Sequence, residues 1–118
     1  MESLISFNWY IVIATLIFIA FDFVSGFIQA VANKEVSSEK LRMGLFHKCG
    51  FILAVMFGIL CEWSLQFVDL GFDVPIAIAI CSYIILSEIM SILENLGKIS
   101  PALASSGFMS IFKRNDKE

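Results

Sequence analysis

Between positions 7 and 32 the chain carries a single charged residue, Asp22, and this constrains its fold more than any other feature. A helix needs about 20 consecutive, mostly apolar residues to cross a bilayer. Two further stretches repeat the pattern. One runs over roughly 50–70, with Glu62 its one acid ahead of a turn at Asp69, and one over roughly 74–94, with Glu88 inside it. Hydrophobic residues make up 58% of the chain and charged residues only 16%. A soluble domain averages about 45–50% and about 25%, so a water-soluble globule is excluded. Three crossings use about 60 residues, half of the 118 present. That length fits one membrane domain over 1–118 and leaves no separate soluble enzyme domain.

The segments between the spans are short. Trp9 and Tyr10 stand at the start of the first span, where amphipathic rings favour the membrane–water interface. Met1-Glu2-Ser3 lacks the positive region of a signal peptide, so the first span is expected to stay uncleaved. In the polar connection 33–42, Ser38 followed by Glu39 suits a helix N-cap with an acid in the first turn. The second helix is therefore expected from about Ser38, entering lipid near Cys49. Asp69, Gly71 and Asp73 form a turn, Pro75 suits a first helical turn, and Gly97, Ser100 and Pro101 end the third helix before a tail at 95–118. Lys34, Lys40, Arg42 and Lys48 cluster around the first connection, and Lys98, Lys113, Arg114 and Lys117 follow the third span. Cytoplasmic segments are enriched in Lys and Arg, so these eight residues are expected to anchor the inner face. The fold class expected is an all-α integral membrane protein with three transmembrane helices, N-out and C-in, with a basic cytoplasmic loop and tail.

Each span pairs a lipid-compatible face with a polar or small one. At ~100° per residue, Thr15, Asp22, Ser25, Gly26, Gln29 and Asn33 share an arc of the first helix. Gly58, Glu62, Gln66 and Asp69 share one on the second, and Ala77, Cys81, Glu88, Ser91 and Asn95 share one on the third, interrupted by Ile84. Counted at ~1.5 Å per residue from the inner span ends, Asp22 and Glu62 lie about 15–18 Å deep and Glu88 about 8–10 Å. No Lys or Arg falls within the spans so drawn, and Lys34 and Lys48 reach only the inner boundary. An ionised carboxylate at such depth costs at least ~2.5–3.5 kcal/mol, so it must be protonated, hydrogen-bonded across helices or in water. The candidate pore-lining or helix-interface residues are Asp22, Ser25, Gly26, Gln29, Gly58, Glu62, Gln66, Glu88, Ser91 and Asn95. For Ser25, Gly26, Gly58 and Ser91 plain packing of small residues explains the pattern as well, Gly26 and Ala30 being a small-xxx-small pair. Three polar stripes are more than a lone three-helix chain hides easily, so homo-oligomers are expected.

Little else in the sequence points to chemistry. Cys49, Cys61 and Cys81 have no paired spacing and read as small hydrophobes. His47 is the only histidine and reads as an interfacial polar residue. Phe108, Met109, Ile111 and Phe112 beside basic neighbours suggest a segment lying on the inner leaflet. The nucleophile-elbow, zincin, P-loop and zinc-ligand patterns are absent, so neither enzyme activity, nor a metal, nor a cofactor is expected. A net charge of −3 gives no reason to expect a nucleic-acid partner.

Asp22-Phe23-Val24-Ser25-Gly26, with Ala30 close behind, resembles a motif of the small phage-lysis and toxin-secretion holins of clostridial and related Gram-positive phages, in which Thr is commoner than Ser. The resemblance continues through Ser37 to Lys40, Arg42, Gly44, Leu45 and Lys48, then Glu62, then Ser91 to Asn95 ahead of a Gly and a Pro. It implies a protein that accumulates in the cytoplasmic membrane, oligomerises and opens lesions for an endolysin or a large toxin, without required contact with that cargo. Its implied partners are the lipid bilayer, further copies of itself and an antiholin. Two other readings compete: an antiholin or other non-pore membrane partner, and a small proton-coupled transporter or channel.

Overall fold

The computed structural model describes residues 8–71 and 73–104. Within them the chain forms three long helices, α1 (Trp9–Ala32), α2 (Ser38–Leu65) and α3 (Ile76–Ile99), followed by the single turn α4 (Pro101–Ala104). Each of the three is long and apolar enough to cross a membrane. The expected tail cluster at Phe108–Phe112, together with Lys113, Arg114 and Lys117, lies outside the described residues.

The helix ends follow from local chemistry. Asn8 caps α1 by accepting from the Tyr10 N–H at 3.1 Å. At its other end the Glu35 N–H bonds the Ala30 carbonyl and the Lys34 N–H the Val31 carbonyl, the paired bonds of a Schellman stop. That stop needs a left-handed residue, and Lys34 supplies it with φ 57°. Ser37, in extended conformation, caps α2, with Glu39 in the first turn. The cap thus falls one residue before the Ser38 expected, and α2 runs unbroken from there. Gly71, at φ 80°, turns the chain towards α3, and Pro75 precedes that helix rather than opening it.

One limit needs correction. The second helix stops at Leu65, not about 70, so Gln66 is its C-cap and Asp69 is off the helix altogether. The third helix runs to Ile99 and stops within the expected 97–101 segment: Gly97 lies in its last turn, and Ser100, extended before Pro101, ends it.

Although separated in sequence, α1 and α3 run parallel and make the most extensive contact, while α1 and α2 touch least. A dry layer of Val12, Ile19, Val55, Cys81 and Ile84 joins all three. Ile84, which interrupts the polar arc of α3, belongs to this layer. At Gly58 the α2 backbone approaches α3 so closely that a Cβ would sit 3.2 Å from Ala77 Cα and 2.9 Å from Ile80 Cδ1. The outer surface is apolar, with Ile17, Phe21, Phe46, Leu53, Phe57, Tyr83 and Leu86 all exposed. The interior thus holds polar groups beside its apolar layer while the flanks are largely apolar, an arrangement that suits lipid as the surrounding solvent.

Candidate functional site

Asp22 is ten residues from the last residue of α1, Lys48 ten from the first of α2, and Glu88 eleven from the last of α3. At ~1.5 Å per residue all three sit about 15–16 Å from the same end of the bundle, the end carrying the 33–37 connection. They meet there. The Lys48 ammonium lies against a carboxylate oxygen of Asp22 and 2.6 Å from Glu88 Oε2. Asp22, Lys48 and Glu88 are 6%, 9% and 1% exposed. Asn95 completes the cluster from α3, its amide donating to Asp22 Oδ1 at 3.2 Å and Ser25 Oγ at 3.0 Å. Ser25 in turn donates to the Asp22 carbonyl at 3.0 Å.

This corrects three expectations. Lys48 is not an inner-face anchor, and the spans do contain a cation: α2 starts ten residues earlier than Lys48 and carries it inward on the face of Val55 and Gly58. Glu88 lies level with Asp22 rather than nearer the surface, because α3 extends to Ile99. Glu62 is not in mid-bundle beside Asp22. It stands three residues from the end of α2 and accepts the Ala77 N–H at 2.8 Å. Pro75 gives α3 no side-chain cap, so this carboxylate satisfies one of the orphan amides of its first turn.

The remaining candidates divide by position. Gly26 packs beside the Asn95 amide at ordinary contact distance, whereas Gly58 is a close approach to Ala77. Gln29 accepts from Asn33 Nδ2 at 3.2 Å, and Ser91 is half-buried. Gln66 is exposed, its amide donating to the Trp63 carbonyl at 2.8 Å. Lys34, Lys40 and Arg42 are exposed, and Lys98 pairs with Glu94 at 3.5 Å. Thr15 is fully buried but donates within its own helix to the Ile11 carbonyl at 2.7 Å.

A cleft of about 400 Å³ opens at the 33–37 end and reaches Asp22 and Lys48, with Lys40, His47, Ser91 and Lys98 in its walls. On the other side of the cluster the apolar layer of Ile19, Val55 and Ile84 closes the bundle. Among the described residues every buried side-chain nitrogen or oxygen has a hydrogen-bond partner, and no group of His, Cys, Asp and Glu could hold a metal ion. Among the described residues the site is therefore an ionic junction, satisfied inside one chain and reached by a passage from the 33–37 end.

No curated protein and no solved structure matches the chain. Among the described residues three helices are long and apolar enough to span a membrane, which suits a multi-pass membrane protein. Residues 1–105 match the bacteriophage holin family, and the chain belongs to that family.

Proposed function

We propose that the chain oligomerises in the cytoplasmic membrane and opens lesions through which an endolysin, or a large toxin, leaves the cell. The observation that carries this reading is the junction of Asp22, Lys48 and Glu88 inside an otherwise apolar bundle. Replacing a buried ionic set by well-packed hydrophobic residues is often neutral or stabilising, so stability alone does not call for it. Ionisable groups within membrane helices mark pathways and switches. Here they give the bundle an interior that water can wet once the helices part, while the faces towards lipid stay apolar. The bound polar stripes then become the lining of a lesion built from several copies.

The orientation proposed is N-terminus outside, with the 33–42 connection and the tail inside. It rests on Lys34, Lys40, Arg42 and Lys98 and on the basic residues of the tail, and it does not need Lys48. The bilayer and further copies are the partners proposed, an antiholin being a regulator of the same membrane assembly. The cargo is linked by passage rather than by contact.

Liposomes loaded with a small dye and with a fluorescent protein of enzyme size test the reading. Release of both by the purified chain is the expected result. Release of dye alone would indicate a channel or transporter, and release of neither would indicate an antiholin or other non-pore partner.

A further inference from the structure

The buried junction holds two carboxylates and one ammonium. Its cation is the one strong attachment of α2 at this level, and α2 is otherwise the least embedded of the three helices, touching α1 least. Both connections of α2 include a residue in the left-handed region, Lys34 and Gly71, so α2 is not continued as a helix at either end. Opposing the attachment is the second carboxylate, for which the junction holds no second cation. A buried set with more carboxyl groups than cations gains hydration when water reaches it, and the cleft that reaches Asp22 and Lys48 supplies a route for water. We infer that Asp22, Lys48 and Glu88 form a timing latch: Lys48 holds α2 on α1 and α3, and the second carboxylate sets how readily that contact opens to water. The inference rests on the lesion-forming function proposed above.

In this arrangement Lys48 is a positioning residue; Asp22 from α1 and Glu88 from α3 bind it, and Asn95 from α3 and Ser25 from α1 surround the Asp22 carboxylate. Around the cleft that leads to it stand His47, Lys40, Lys98 and the exposed Glu35. Opening follows the charge of the junction. A junction with two carboxylates and no cation should open sooner than the natural one. A junction with one of each should open later. A residue that merely packs would give the same sign, loss of stability, for every substitution.

The experiment is an induced-lysis time course of the full chain, with membrane amounts matched by blotting. Lys48→Met should lyse earlier than wild type, Glu88→Gln and Asp22→Asn later, and Lys48→Arg at the wild-type time. If Lys48→Met fails to accumulate, the two amide variants decide alone. Amide variants that lyse at or before the wild-type time overturn the latch. A second measurement joins α2 to α3 directly. Leu41→Cys and Lys98→Cys, both lining the cleft, are bridged by a reducible cross-linker in a chain whose native cysteines are replaced. Release from liposomes should stop and return on reduction, and release through the intact cross-link overturns the proposal. A wild type that releases nothing in the same assay overturns the lesion-forming reading and the latch together. A wild type that releases cargo while the variants fail their order overturns the latch alone.

Discussion

Lys48, Val55 and Glu62 follow one another at seven-residue steps along α2, a spacing that keeps all three close to one face. Extending the polar arc of Gly58 and Glu62 backwards, instead of forwards to Gln66 and Asp69, would have brought Lys48 onto it. The signal was present, but a hydropathy boundary at Gly50 hid it, because apolarity marks where lipid begins and not where a helix does. Asp22, Ser25, Glu88 and Asn95 were legible because each breaks a long apolar run at helical spacing. Their mutual partners were not, since hydrogen bonds between α1 and α3 depend on how the helices rotate against each other. Gly58 shows the reverse case of a small residue whose reason is steric. Gly58→Leu should destabilise the bundle by ~1–3 kcal/mol through overpacking against Ala77 and Ile80, measured as an earlier loss of helical signal on SDS titration from mild detergent. A wild-type midpoint would show that α2 and α3 can move apart there at no cost.

The three helices themselves were legible from apolar length, while their ends were set by groups distant in sequence or unusual in type. Glu62 terminates no feature of α2, yet it caps α3 across fifteen residues of chain. Glu62→Ala leaves the Ala77 amide without its acceptor and should cost ~1–3 kcal/mol. Glu62→Gln keeps an acceptor oxygen and should lie close to wild type. The same denaturant titration checks both, and equal midpoints for the alanine and glutamine variants would refute the capping role. Lys34 offers a gain in place of a loss. A non-glycine residue in the left-handed region costs roughly 1–2 kcal/mol, so Lys34→Gly should relieve strain at the Schellman stop and raise the midpoint. If the midpoint falls instead, the Lys34 side chain contributes more through its surroundings than its backbone costs.

Across the whole molecule, polarity is sorted from the middle outwards: an ionic junction, an apolar layer beside it, and hydrophobes on the faces that meet lipid. Much of the polar stripes of α1 and α3 is satisfied within one chain, because Asp22, Ser25, Glu88 and Asn95 face one another around Lys48. Association of copies then has to use other faces or an opened bundle, which is why the junction matters to the proposed lesion. The orientation is tested by single cysteines at Asp73, Lys40 and Lys117 in intact cells. Impermeant reagent should label position 73 from outside, and positions 40 and 117 only after lysis. Labelling of position 40 from outside would invert the topology. Cross-linking in native membranes should also give ladders beyond a dimer, and a lone monomer band would contradict assembly from several copies.

The junction also has a history within each newly made chain. Asp22 leaves the ribosome first, and for a time it is a lone acid in a nascent helix that lipid disfavours. Lys48 follows on α2, and the resulting hairpin carries one acid and one base facing each other, a neutral pair. Glu88 arrives last, on α3, and brings the second carboxylate. The order of synthesis therefore runs from an unfavourable single helix to a charge-balanced hairpin, and only the final helix tips that balance. A chain halted after α2 should thus be a quiet resident of the bilayer, and the instability that proposed lysis requires is added with the last helix to be translated.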